Sequence, residues 1–208
     1  MYSLLLAGNR GMRDDSQFRL AELAGIIETV LNFSTVILIS NDESLVELVT
    51  TRNQLIFQKV PSQTAGALAT AAFGLNRLTD SEPFLIIPSN ARILNDGIMK
   101  FQSSMGLISP TVGAMIFQET NPLYSYARLD KFGVTIEITE KQVFGDCALA
   151  GVYYFNNKRT FIKCVEWAMV NNVQTDGRFF ISPALNYFLA NSIEISLFEI
   201  SSRDYARL

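Results

Sequence analysis

Histidine is missing from this chain of 208 residues. That excludes Ser-His-Asp catalysis, imidazole acid–base chemistry and the usual zinc sites. Cysteine is nearly missing too. Cys147 and Cys164 form no C-x-x-C pattern, and two core thiols in a cytoplasmic protein are the expectation. No cluster of Lys and Arg occurs and the formal net charge is −3, so no nucleic-acid partner is expected. Mean hydropathy is +0.20, yet no run approaches the roughly 18 apolar residues that a membrane span needs. The first residues carry no basic region. Tyr2–Leu6 runs straight into Gly8 and Gly11, as a first strand would and a signal peptide would not. Any chemistry must therefore use carboxylates, Lys, Arg and backbone amides.

What the chain does have is apolar character. Hydrophobic residues make up 49% and charged residues 18%, enough for a sizeable core in one domain. Apolar runs alternate with helical spacing. Strands are expected at 2–7, 35–39, 55–57 and 84–87. Leu20, Leu23, Ala24, Ile27 and Leu31 share one helix face, with Gly25 as a candidate break. Asp42 suits the cap of a short helix that turns Leu45, Val46 and Val49 inward. A further helix is expected over 64–78. The second half has strands at 112–118, 134–138, 152–155 and 193–200, and helices at 160–169 and 183–189. The fold class is α/β: a Rossmann-like mixed, mainly parallel sheet flanked by helices.

Phe84–Ile87 is apolar on every position and ends in Pro88-Ser89-Asn90-Ala91-Arg92. In open α/β sheets ligands sit beyond the carboxyl ends of such strands. Gly8 and Gly11 follow the first strand, where glycines let backbone N–H groups approach a phosphate that Arg13 can neutralise. A structural turn explains them equally well. Gln63 and Gly66 open a helix and could face a nucleobase edge, or serve close packing. Glu140 and Lys141 end a strand and could hold a sugar hydroxyl and a phosphate, or form a solvated pair. Ser125–Asp130 is expected to precede that strand. Gly151–Phe155 is expected in the core, and Ser182 suits a helix cap ahead of Pro183.

Taken in order, these pieces resemble the sugar-phosphate nucleotidylyltransferases of the nucleotide-diphospho-sugar transferase superfamily. The likeness runs through Leu6-Ala7-Gly8 to Arg13, Gly25–Leu31, Gln63–Leu68, Ser125 to Lys141, Gly151–Phe155 and Phe180–Asn186. It implies one domain over 1–208, with a nucleotide-binding half (1–95) and a sugar-binding half (96–208). It implies nucleotide contacts at Ala7, Gly8, Gly11, Gln63, Gly66 and Asn90, sugar contacts at Glu140, Lys141 and Gly151, and catalytic cations at Arg13 and Arg19. The partners would be a nucleoside triphosphate and a sugar phosphate, with Mg²⁺ as the cofactor of an active enzyme. Dimers or tetramers would be in keeping, with the exposed half of the second sheet as an interface.

The chain also departs from the pattern. Its glycine loop is one residue longer, and Arg19 stands where the family has a lysine. Ala91 falls at or beside the position of the metal-binding Asp, so no metal ligand is assigned there. Asp204 is the one candidate for a late second carboxylate. Three functions remain open: nucleotidyl transfer to a sugar 1-phosphate in nucleotide-sugar or surface polysaccharide synthesis; a catalytically degenerate binding or regulatory protein; and a GT-A-like glycosyltransferase, which would want an Asp-x-Asp at the strand end.

Overall fold

A computed structural model describes residues 1–7, 16–32, 34–46, 54–61 and 64–207. Among them the first half alternates β1 (Tyr2–Leu6), α1 (Ser16–Leu31), β2 (Thr35–Ser40), β3 (Leu55–Lys59), α2 (Ala67–Gly74), β4 (Phe84–Pro88) and β5 (Ala91–Ile93). There follow α3 (Gly97–Ile108), β6 (Val112–Gln118), β7 (Ser125–Leu129), β8 (Thr135–Glu140), β9 (Cys147–Phe155) and α4 (Lys158–Val170). The chain then forms α5 (Ile181–Ala184), α6 (Asn186–Ala190), β10 (Ile195–Glu199) and β11 (Tyr205–Arg207).

The main sheet runs β3-β2-β1-β4-β9-β6-β10. Its pairs are parallel except at β9, which is antiparallel to both β4 and β6. Strand periodicity explains why β1, β2 and β4 are apolar at nearly every position. Leu4, Leu6, Ile37, Ile39, Phe84 and Ile86 pack on one face under α2, α4, α5 and α6. Leu5, Val36, Leu38, Leu85 and Ile87 pack on the other under α1 and α3. Alternate side chains point to opposite faces, so covering both faces demands an unbroken apolar run.

Several expectations change. Gly25 does not break α1, which runs continuously through it. Residues 43–45 form a 3-10 turn in which Leu45 is buried as expected, and Val46 is exposed rather than inward; the rest of the expected helix, with Val49, lies outside the described residues. Ser125–Leu129 is itself a strand, paired with β8 and with β9. The expected helix at 183–189 is two short helices joined at Leu185. α3, β5 and β11 were not anticipated. α3 nonetheless has a readable face: Ile98, Phe101 and Met105, spaced three and four apart, are its buried apolar residues.

β9 is shared between two partners on one edge. Tyr153–Phe155 pair with β4, while Ala148 and Leu149 pair with β7. Gly151 stands between these stretches with φ +80°, where the β6–β9 register also shifts. A Cβ on Gly151 would lie 3.0 Å from Cγ of Pro88. Beyond β7, the outer strand β8 has its free edge closed by a side chain. The Ile138 N–H donates to Oδ1 of Asn186 (2.9 Å), and Nδ2 of Asn186 donates to the Ile138 carbonyl (2.7 Å).

Candidate functional site

The carboxyl ends of β1 and β4 lie side by side, with Leu6 opposite Pro88 and the Ser89 N–H donating to the Leu6 carbonyl at 3.1 Å. Ala7 continues β1 and donates its N–H to Ile39. Gly8, Gly11 and Arg13 lie outside the described residues, as does Gln63. Arg19 lies within α1. Around these two strand ends the structure builds two unlike walls.

One wall comes from β7, β8 and the 179–182 segment. Pro88 abuts Gly151, and two residues from it Leu149 pairs with Ser125. Ser125 in turn stands opposite Glu140. Oε2 of Glu140 accepts hydrogen bonds from the hydroxyls of Ser125 and Ser182, the latter at 2.6 Å. The two serine oxygens are 2.8 Å apart. The buried Tyr153 adjoins the same group through Ser182, and burial followed by the Glu140 charge pushes its phenol well above the ordinary range. Ser182 therefore does not cap α5. The residue preceding that helix is Phe180, whose side chain makes no capping bond. A hydroxyl expected to satisfy a local backbone group is used instead by a carboxylate 42 residues away in sequence.

Glu140 and Lys141 are not partners of each other. Lys141, at φ +58°, donates to Oδ2 of Asp176 at 2.5 Å and lies over the Phe180 ring. The Lys141 ammonium holds the Asp176 carboxyl below its ordinary range. The same segment reaches the start of α2. The Phe179 N–H donates to Ala65 (2.7 Å), and Leu68 donates to the Phe179 carbonyl (3.1 Å). Between them Gly66 has φ +122°, and a Cβ there would lie 2.3 Å from the Phe179 oxygen. Close backbone packing is thus sufficient reason for a glycine at 66. Residues 179–182 tie Gly66, Lys141 and Glu140 into one framework.

The other wall is β5 with its partner β11. Ala91 is buried and pairs with Arg207, and Ile93 pairs with Tyr205. Asn95 donates to Oδ1 of Asp204 at 2.5 Å, and Leu94 donates to the Asp204 carbonyl at 2.8 Å. Tyr205 stacks on Phe117 at 4.1 Å. Nη1 of Arg92 lies 3.5 Å from Oε1 of Glu22 on α1, with the Arg92 side chain 52% exposed. Such a pair contributes roughly 0–1 kcal/mol.

Magnesium is held by carboxylate and other hard oxygen ligands in near-octahedral geometry. The described residues at this strand end do not fit that requirement. Ser89 and Asn90 offer only neutral oxygens, Ala91 offers none, Glu22 faces Arg92, and Asp204 accepts from Asn95. No group of three or more Cys, Asp and Glu side chains converges among the described residues.

A separate cavity of about 130 Å³ is lined by Ile116, Phe117, Gln118, Leu129, Asp146, Cys147 and Glu199. Burial and the charges of Asp146 and Glu199 push the Cys147 thiol up to about 11, which makes it a poor nucleophile at neutral pH. Among the described residues no helix is long and apolar enough to cross a membrane.

Neither a protein family model nor a curated protein sequence matches this chain. Solved structures do match, over nearly its whole length. It is similar to a nucleoside-diphosphate-sugar pyrophosphorylase from Vibrio cholerae RC9, with a TM-score of 0.72 and 14% identity, covering 100% of this chain and 95% of the other. It is also similar to a protein from Bacillus anthracis described as a glucose-1-phosphate thymidylyltransferase and crystallised with sucrose. There the TM-score is 0.69 at 14% identity, covering 96% of this chain and 87% of the other. The fold is that of the sugar nucleotidyltransferases, as the order of motifs implied.

Proposed function

We propose that this chain binds a nucleotide or a sugar phosphate at the carboxyl ends of β1 and β4, without a divalent metal and without nucleotidyl transfer. The observation that carries this reading is the end of β4. A buried alanine and an arginine paired to Glu22 stand where a metal carboxylate would be needed. A cation at that place repels a divalent ion and attracts a phosphate.

In this reading Ala7, Gly8, Gly11 and Arg13 cradle the phosphates, with Arg19 adding charge nearby. Gln63 and the start of α2 at Gly66 face the base, and Asn90 lies at the ligand's edge. Glu140 accepts from a sugar hydroxyl. Its Oε2 is occupied by Ser125 and Ser182, and Oε1 makes no hydrogen bond to the described residues. Lys141 is available to a phosphate on exchange with Asp176. Gly151 keeps the floor open against Pro88. The role is regulatory or partner-directed, with ligand binding as its signal.

Titration calorimetry with UTP, dTTP, CTP and glucose 1-phosphate, with Mg²⁺ and with EDTA, tests this. Binding that persists in EDTA, without pyrophosphate release when both substrates are present, is expected. Mg²⁺-dependent binding with pyrophosphate release would instead establish an active nucleotidylyltransferase, the reading favoured by the Glu140–Lys141 strand end. The glycosyltransferase reading lacks its Asp-x-Asp at β4. Installing the carboxylate by Ala91→Asp should raise Mg²⁺ affinity. An unchanged affinity would show that this strand end is not the metal position.

A further inference from the structure

We infer that Arg92 is a phosphate-binding residue that takes over the metal ion's charge role in this crevice, with Glu22 as its counterion in the empty state. This inference rests on the ligand-binding reading above and extends it to a particular residue and ligand group.

Three observations carry it. The first is position. Arg92 is the second residue after the turn at Ser89 and Asn90, and Ser89 is bonded to the end of β1. The second is a contrast between backbone and side chain. The backbone around Arg92 is held by β5–β11 pairing, by buried Ala91 and by the Leu94 and Asn95 bonds to Asp204. Its side chain is 52% exposed and, among the described residues, meets Glu22 at 3.5 Å through Nη1. A fixed stem with a loosely held tip suits exchange of one anion for another. The third is chemistry. A guanidinium presents five N–H donors in a planar fork that matches two oxygens of a phosphate, and a single long contact to one carboxylate oxygen leaves most of them unused. No carboxylate stands within Ser89–Arg92 itself, so Glu22, held through one long contact, is the acidic group a ligand has to displace. The ligand group is therefore a phosphate monoester or anhydride. It can come from a nucleoside triphosphate or from a sugar phosphate.

The test uses the whole chain in EDTA, with UTP, dTTP and glucose 1-phosphate as separate probes. Arg92→Ala should weaken the probe that wild type binds by roughly 10- to 100-fold. Arg92→Lys should recover part of that loss, since it keeps charge without the fork. Glu22→Gln should tighten binding about threefold, because the resting counterion no longer competes. The probe affected identifies the phosphate's source. Circular dichroism melts check that each variant is folded. If wild type binds in EDTA and Arg92→Ala binds equally well, the arginine assignment falls while the ligand-binding reading stands. If Glu22→Gln binds no tighter than wild type, the counterion role is overturned. If wild type binds none of the probes, both fall together.

Discussion

Glu140 and Glu22 belong to the two walls beside the ends of β1 and β4, and they are held in opposite ways. Glu140 receives two serine hydroxyls beside a buried tyrosine, at the end of the outer strand β8. Glu22 meets one half-exposed arginine at 3.5 Å. The first arrangement is satisfied, so disturbing it strands a polar group away from water and costs stability. The second is a single long contact between a half-exposed arginine and a partly buried carboxylate, and such a pair contributes little net stability. Lys141 and Asp176 resemble the second kind, although they sit beside Glu140. Rigid support and loosely held charge are thus separated by residue: the buried hydroxyls fix geometry, and the half-exposed cations Arg92 and Lys141 are held by ion pairs.

Variants should therefore sort by wall. The largest effect is expected for Gly66→Ala. It would force a Cβ into the Phe179 carbonyl at positive φ, for about 3 kcal/mol or more of lost stability in urea unfolding. A loss under about 1 kcal/mol would mean that the 179–182 segment yields and is no rigid wall. Ser182→Ala should cost about 1–3 kcal/mol, because it removes a donor from Glu140 and a neighbour from Tyr153. Gly151→Ala combines φ +80° with a 3.0 Å approach to Pro88, and about 1–2 kcal/mol is expected. Arg92→Ala should change the unfolding free energy by no more than about 1 kcal/mol, while altering ligand binding. An equally large stability loss there would erase the distinction between the walls.

The smallest effect concerns pH. The Lys141 ammonium depresses the Asp176 carboxyl in the folded state. Its contribution is therefore present above the unfolded carboxylate value of about 3.9, and is lost as pH falls through the lower folded value. The difference in melting temperature between wild type and Asp176→Asn should shrink below about pH 4. A difference that stays constant with pH would show that the pair does not form in solution.

The sequence carried much of the fold because two-sided burial leaves a simple trace. β1, β2 and β4 are apolar at nearly every position, and both faces of each are covered. The helical face of α1 was visible at Leu23 and Ile27. What escaped notice depends on distant partners. Ser182 has the local look of a helix cap, but its hydroxyl belongs to Glu140. Lys141 follows Glu140 in sequence, yet a strand end at positive φ turns it towards Asp176. Gly66 looked open to a ligand, and it is the Phe179 backbone that excludes a side chain there. β5 and β11 are three residues each and exist because they pair with one another across more than a hundred positions. The alanine at 91 was legible as a missing carboxylate, whereas the pairing of its neighbour Arg92 with Glu22 required the fold.

The amide of Asn186 has a consequence for how copies of this chain meet. β8 is an outer strand, with Val134 just ahead of it and Ile136 within it exposed on its surface. An apolar edge with free N–H and C=O groups invites another chain to add a strand. Asn186 supplies one donor and one acceptor to Ile138 and so imitates a neighbouring strand for a single residue. That is enough to interrupt the register an incoming strand would need. The residue that begins α6 thus also closes part of the β8 edge.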